Sequence, residues 1–307
     1  MEKIPKLERR AALSRFIRTG NFETRDLGIT SPTVTQTASV IVQAQFYRDL
    51  IRAMKAYDAL FSPDVVTFVS SSNGSQMLAP TIDDTANAAT VVAEAVQDTE
   101  TDPTTGGVLV PTASNWRTGM VKLSLELLQD AAFDPADFLA RSFAIRLARG
   151  IGASIVATAL AGAQSGATAA SKTAIAISDV INLLATVDPA YLSGPKSGIA
   201  MSWTTLFQIL GGLVTANQAQ AALMAAKEML GLPIFICPSL PAAGSTTVPV
   251  IAGDFGYLVT RTVEGGTNLA RYDELYATSG QVGFRGFLRA SSALGVPAAL
   301  RKLTCPA

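Results

Sequence analysis

The sequence contains no histidine among its 307 residues. This absence excludes Ser-His-Asp and Cys-His catalysis, and it removes the commonest ligand of protein-bound zinc. The chain also has no Gly-x-x-x-x-Gly-Lys-Ser/Thr loop to hold nucleotide phosphates. We therefore expect no enzymatic activity, no cofactor and no metal.

Charged residues are scarce, at 16% of the chain against about 25% in an average soluble protein. The 24 basic and 24 acidic residues cancel, which argues against nucleic-acid binding through bulk charge. No uninterrupted apolar run approaches the ~20 residues of a membrane span, and the charged first ten residues do not resemble a signal peptide. We expect no membrane partner, and the low charge suggests a surface covered by protein partners.

Cysteine is limited to Cys237 and Cys305, which we expect to be free thiols, with Cys237 packed in an apolar run before Pro238. Acidic residues are concentrated in the first half of the chain, at Asp83, Asp84, Glu94, Asp98, Glu100 and Asp102. Two interpretations stay open: a solvated acidic loop, or a calcium site formed by Asp83, Asp84, Asp98, Glu100 and Asp102.

Hydrophobic periodicity predicts a mixture of helices and strands. Before residue 121 it predicts helices over residues 7–17 and 46–61, an extended segment over 28–45, and strands over 65–69, 90–96 and 108–110. The Asn73-Gly74 pair is a tight-turn signal and predicts a hairpin tip.

A long helix is predicted to begin with Asp134 as N-cap and Pro135 at its first position, and to end near Ala161 with Gly162 as C-cap. About 27 residues at 1.5 Å each make a rod of roughly 40 Å. Three arginines recur along it at helical spacing: Arg141, Arg146 and Arg149.

Shorter elements follow this helix. Ser178 is predicted to cap a helix over residues 179–186, and Ser202 a helix that ends near residue 210. Another helix is predicted over 219–230, and strands over 199–201, within 231–257, over 257–261 and over 281–290.

Several sequence blocks together resemble a known family. The blocks are residues 231–241 (Gly-Leu-Pro-Ile-Phe-Ile-Cys-Pro-Ser-Leu-Pro), 248–257 (Val-Pro-Val-Ile-Ala-Gly-Asp-Phe-Gly-Tyr), 124–130 (Ser-Leu-Glu-Leu-Leu-Gln-Asp), 133–139, 94–95 and 99–104. Their content and order, over roughly residues 8 to 303, are similar to the major capsid proteins of tailed double-stranded-DNA bacteriophages.

The resemblance implies an α+β fold in four parts. They are an N-terminal arm with a short helix (1–61), an extended β-hairpin loop (62–118), a peripheral domain with a long spine helix (119–172 and 257–307) and an axial α/β domain (173–256). The implied function is self-assembly as pentamers and hexamers into an icosahedral shell around the phage genome. An encapsulin-like compartment of the same fold is the alternative, and an enzyme or a calcium-dependent surface protein would be a different class.

The resemblance also implies contacts between subunits. The candidate residues are Arg9, Arg10 and Arg15 in the arm, the six acids Asp83, Asp84, Glu94, Asp98, Glu100 and Asp102, the spine arginines Arg141, Arg146 and Arg149, and Arg285 and Arg289 in a late strand. The implied partners are further copies of the chain, a separate scaffold, a portal, a decoration protein, and packaged double-stranded DNA bound without sequence specificity. The implied location is the virion capsid, assembled in the host cytoplasm. Because the arm motif begins near Met1, the family's scaffolding region is absent from this sequence, so either the scaffold is a separate protein or this chain is a processed or truncated form.

Some members of the family form isopeptide bonds between a loop lysine and an asparagine of a neighbour, assisted by a glutamate. Residues 61–121 contain no lysine, and Gly280 and Phe287 stand at the positions of the asparagine and glutamate. We therefore expect no such cross-link.

Overall fold

The computed structural model describes residues 58–83, 104–130, 135–215, 228–263 and 268–307, together with positions 17, 52, 54, 87, 89, 91, 92 and 94. Within these residues the first strands and helices are β1 (Thr67–Ser71), β2 (Met77–Asp83), β3 (Thr104–Val110), β4 (Ser114–Arg117), β5 (Val121–Ser124), α1 (Leu125–Asp130) and α2 (Pro135–Gly162). They are followed by β6 (Gln164–Thr168), α3 (Ile177–Ala185), α4 (Pro189–Leu192), β7 (Ser197–Met201), α5 (Trp203–Thr215), β8 (Glu228–Met229), β9 (Leu232–Ile236), β10 (Val250–Asp254), β11 (Leu258–Val263), β12 (Asn268–Tyr272), β13 (Gln281–Leu294) and β14 (Leu300–Thr304).

The first sheet is organised around β13, a strand of 14 residues. It pairs antiparallel with β11, β12, β4 and β5, and β1 extends the sheet by pairing parallel with β11. Side chains alternate along the middle of β13 between buried and half-buried positions, as expected when successive residues point to opposite faces. One face therefore belongs to the core, and the other carries Arg285, Phe287 and Arg289.

Helix α2 packs against the core face of β13. Leu139, Phe143, Leu147 and Ile151 recur every four residues and are all buried, so they line one face of the helix. A Cβ at Gly286 would lie 3.1 Å from the Phe143 ring, so glycine lets the helix come close to the strand.

By length and apolar composition alone, the stretch Phe138–Gly162 within α2 could cross a membrane. Half of this stretch is buried inside the protein, where its apolar face lies against β13 in the largest hydrophobic cluster. Packing within the chain therefore accounts for its composition.

The second sheet has the strand order β6-β14-β10-β7-β9-β8. Its cluster of buried residues includes Val180 and Leu183 from α3 and Leu206 and Ile209 from α5. Strands β6 and β14 come from segments assigned above to the peripheral domain, but they pair with each other and β14 pairs with β10. The domain boundaries themselves stay a prediction.

Strands β2 and β3 form a separate two-stranded sheet in register from Met77 opposite Val110 to Asp83 opposite Thr104. Its strands flank the segment that contains five of the six loop acids, Asp84, Glu94, Asp98, Glu100 and Asp102. We call β2, β3 and the segment between them the extended hairpin.

Most elements predicted after residue 121 are confirmed, including the start of α2 at Pro135 and strands β7, β11 and β13. Ser178 is not the cap of α3, because that helix begins at Ile177 and the Asp179 carboxylate accepts the Ala176 N–H at 3.0 Å instead. Gly162 is the last residue of α2, and it lacks a positive φ. A Cβ there would meet Leu294 at 2.8 Å, so close packing explains this glycine.

Other predictions are wrong in part. Asn73 and Gly74 do not form a hairpin tip, because β1 pairs with β11 and β2 with β3, and the two residues lie between them. The helix predicted over 46–61 does not extend to residue 61, since Asp58 has an extended backbone and caps a 3-10 turn at Ala59–Phe61. The positions described between 91 and 94 are not strand, and residues 228–229 form β8 and not a helix end. Asp134, residues 28–45, residues 7–16 and residues 219–227 lie outside the described residues.

Candidate assembly surfaces

The extended hairpin exposes an apolar pair on one face. Leu78 and Leu109 are directly opposite each other in the strand register and are 67% and 56% exposed. Gly107 leaves room for the Leu78 side chain, which lies within 2.8 Å of where a Cβ would be. An exposed cross-strand leucine pair is a surface that another protein can cover.

The acidic residues are only partly within the described structure. Asp83 is the last residue of β2, and Glu94 lies in an exposed turn. Asp84, Asp98, Glu100 and Asp102 lie outside the described residues, as do the arm arginines Arg9, Arg10 and Arg15. Within the described part of the chain no group of three potential ligands could hold a metal ion. The calcium interpretation of the loop acids therefore stays untested.

The spine arginines Arg141, Arg146 and Arg149 all lie on the exposed side of α2. The Arg146 guanidinium donates to the Thr118 carbonyl at 3.3 Å, so it is held against the chain entering β5. Phe138 and Ile145 are exposed on the same helix, at 48% and 38%. The exposed side of α2 therefore combines positive charge with apolar surface.

The late-strand arginines occupy the face of β13 opposite α2. Arg285 is half-buried, and its Nε has no hydrogen-bond partner among the described residues. Arg289 packs on Gly74, next to the base of the extended hairpin in the same chain. The two arginines thus share one face of β13, and Arg289 is held against its own chain.

The structure shows a buried arginine that the sequence patterns did not single out. Arg261 in β11 has no exposed surface, and it donates to the carbonyls of Gly74, Ser75 and Pro111. The available signal was a cation within the otherwise uncharged stretch of residues 257–263. The hydrogen-bond partners are 150 to 187 residues away in sequence, so spacing alone could not identify them.

Asp58 is a second buried charged residue that the sequence patterns did not predict. Its Oδ1 accepts the Leu60 N–H at 3.0 Å, while Oδ2 faces Gly152 of α2 and has no hydrogen-bond partner among the described residues. Burial raises the pKa of Asp58 to about 6, an effect only partly offset by the Leu60 hydrogen bond and the neighbouring Cys237 thiol.

Both cysteines are buried and free, as expected from the sequence. Burial, together with the nearby Asp58 charge, raises the pKa of Cys237 well above its usual value, so its thiol stays protonated and a poor nucleophile. The two positions aligned with the isopeptide asparagine and glutamate carry no reactive group. Gly280 ends a 3-10 helix with φ 62°, and Phe287 lies under the Arg117 guanidinium at 5.9 Å.

Comparison with solved structures shows that this fold occurs in capsids. The chain superposes on a structure described as "Capsid of native GTA particle computed with C5 symmetry" with a TM-score of 0.61 and 17% identity, covering 83% of this chain and 90% of that one. Chains from Gordonia phage Cozz (TM-score 0.55, 14% identity, 80% and 86% covered) and Mycobacterium phage Adephagia (0.55, 13%, 79% and 89%) are similar. Identities this low show the fold alone, and that fold is the α+β fold of capsid subunits.

The sequence itself shows the family to which the chain belongs. The model of the phage capsid family matches residues 38–305, and the chain therefore belongs to that family. No curated protein matches the sequence. Family and fold together confirm the relationship that the sequence blocks indicated, and they make the chain a structural protein of a phage capsid.

Proposed function

We propose that this chain is the major capsid subunit of a tailed phage, and that it assembles as pentamers and hexamers into an icosahedral shell around double-stranded DNA. The observation that carries the proposal is the capsid-family match over residues 38–305. One structural relative belongs to a capsid computed with C5 symmetry, and this symmetry supports pentamers as one of the assembly units.

Contacts between subunits supply the assembly energy in this proposal, because shells of identical subunits depend on large complementary surfaces. The apolar pair Leu78 and Leu109 of the extended hairpin covers part of a neighbour. The acids between Asp83 and Asp102 then approach the arginines on the exposed side of α2. Exposed ion pairs contribute only about 0–1 kcal/mol each, so these charges mainly set register and orientation.

A separate scaffold protein guides assembly, a portal occupies one vertex, and a decoration protein can reinforce the outside. Packaged DNA contacts the interior without sequence specificity. The chain has no net charge, so it is not strongly basic as a whole. Assembly takes place in the host cytoplasm, and the finished subunit resides in the virion. In this role the chain acts mechanically, without enzymatic activity, cofactor or membrane contact.

Negative-stain and cryo-electron microscopy of the purified protein, expressed with and without the scaffold, test this proposal. We expect closed shells with both five-fold and six-fold clusters of subunits, and DNA inside particles from lysed host cells. Shells that contain protein cargo and no DNA would support an encapsulin-like compartment. A chain that elutes only as a small oligomer under all of these conditions would contradict both.

A further inference from the structure

The charged side chain of Arg261 has no exposed surface. A buried guanidinium is costly unless its donors are satisfied. Here the acceptors are backbone carbonyls: Nη1 donates to Ser75, and Nη2 donates to Pro111 at 2.9 Å and Gly74 at 3.3 Å. Nε has no hydrogen-bond partner among the described residues. Arg261 therefore keeps its charge buried only while these carbonyls stay in place.

The three acceptors lie on both chain segments that connect the extended hairpin to the first sheet. Gly74 and Ser75 precede β2, and Pro111 follows β3. The Ala113 N–H also donates to the Gly74 carbonyl at 3.0 Å, linking the two segments directly. A single side chain from β11 thus holds the outgoing and the returning segment together.

Arg289 completes this arrangement from β13. A Cβ at Gly74 would overlap the Arg289 guanidinium, so this guanidinium covers the backbone of the residue whose carbonyl accepts a hydrogen bond from Arg261. Arg261 pairs with Ser291 across β11 and β13, and paired residues point to the same face of a sheet. Both arginines therefore lie on the face opposite α2, with the hairpin base over them.

We propose that Arg261, supported by Arg289, is a positioning residue that fixes the direction in which the extended hairpin leaves the subunit, and that correct shell assembly requires this direction. The proposal rests on the proposed function, in which the hairpin contacts a second copy of the chain. An isolated two-stranded sheet is only marginally stable, so the hairpin depends for its orientation on contacts with the rest of the subunit. These are the contacts at its base and the approach of Thr81 in β2 to Gly295. Strands of seven residues reach roughly 23 Å at 3.4 Å per residue, and a small change of angle at the base moves the far end by several ångströms.

The first experiment uses hydrogen exchange on unassembled subunits carrying Arg261→Met. Methionine preserves the apolar stem and removes the charge together with its three hydrogen bonds, so the carbonyls of Gly74, Ser75 and Pro111 lose a donor at the hairpin base. We expect amides of β2 and β3 to exchange at least tenfold faster than in the wild type, while the amides of β13 and the melting temperature change little. Because no assembly is involved, this readout is independent of whether the protein forms shells.

The second readout is assembly. Arg261→Met subunits that remain folded should give irregular or open particles under conditions in which the wild type forms uniform shells. Arg301→Met is the matched control, since Arg301 is also a strand arginine with a guanidinium–carbonyl bond, to Ser165 in the second sheet. It should leave both hairpin exchange and particle shape unchanged.

Arg261→Lys keeps the charge but cannot reach all three carbonyls, and it should give an intermediate exchange rate. Unchanged hairpin exchange in a folded Arg261→Met variant would overturn the proposal, as would faster exchange that leaves the shells uniform. If neither substitution yields a folded subunit, Arg261 is required for the whole fold, and a local positioning role is rejected.

Discussion

At the scale of single residues, Asp58 makes stability depend on pH. Its pKa of about 6 in the folded chain exceeds the ordinary 3.8, so the folded state binds a proton more tightly than the unfolded state. The stability that this tighter proton binding adds to the folded state is therefore fully present below about pH 4, and it is lost as pH rises through about 6. The difference of about two pKa units corresponds to about 3 kcal/mol at most.

Asp58→Asn should remove this dependence. Asparagine can still accept the Leu60 N–H, and it carries no charge to bury. We expect unassembled subunits of the variant to be about 1–3 kcal/mol more stable than the wild type at pH 7.5 and nearly equal at pH 4. Urea unfolding across this range measures the effect, with Asp64→Asn as an exposed control. A variant with the same slope against pH as the wild type would contradict the assignment.

Leu230 is strained in the turn between β8 and β9. It has φ 53° and is followed by Gly231 with φ 79°, two consecutive positive values as in a type I′ turn, which prefers Asn-Gly. Leu230→Asn should stabilise the subunit by about 0.5–1 kcal/mol in urea unfolding, because a left-handed backbone is costly for leucine. Leu230→Ala, which keeps the strain, is the control. If both variants lose stability equally, the leucine side chain and not the backbone determines the effect.

At the scale of elements, the charges of the extended hairpin can be tested as a group. Replacing Asp83, Asp84 and Glu94 with lysine should prevent shell formation, because like charges would then face the arginines on α2. The matched control replaces the same three residues with asparagine or glutamine and should weaken assembly only modestly. Sedimentation and electron microscopy measure particle yield, and circular dichroism verifies folding. Normal shells from the lysine variant would place these acids in solvent.

Elements differ in how far the sequence determined them. Helix α2 was predictable because Pro135 starts an unbroken helical pattern that repeats its apolar residues every four positions. The base of the extended hairpin was not, because Arg261 meets Ser75 across 186 residues and a local pattern contains no information about such a pairing. The turn assigned to Asn73 and Gly74 failed for the same reason, since Gly74 is required by its contact with Arg289.

At the scale of the whole molecule, the sequence blocks identified the family, but the structure of a single chain does not contain the contacts between subunits. The arm arginines and most loop acids are outside the described residues, and their pairing stays a prediction. Among the other residues predicted to form contacts between subunits, Arg289 lies against its own chain, whereas the spine arginines lie on the exposed side of α2.

Mature shells should contain no covalent links between subunits. Residues 61–121 offer no lysine, and Gly280 and Phe287 provide no amide or carboxylate. Shells heated in detergent with reducing agent should therefore run as single chains of 32.0 kDa on a gel. A ladder of larger species that survives this treatment would contradict the expectation.

The position of β13 in the chain affects how the protein is made. This strand joins β11, β12, β4 and β5, yet it spans Gln281–Leu294 near the end of the described chain. During synthesis, at about 5–20 residues per second, β4 and β5 emerge from the ribosome long before β13, whereas β11 and β12 directly precede it in the chain. The unpaired edges of β4 and β5 and the apolar face of α2 stay uncovered for tens of seconds at the slower rate, so nascent chains should depend on chaperones until β13 has been synthesised.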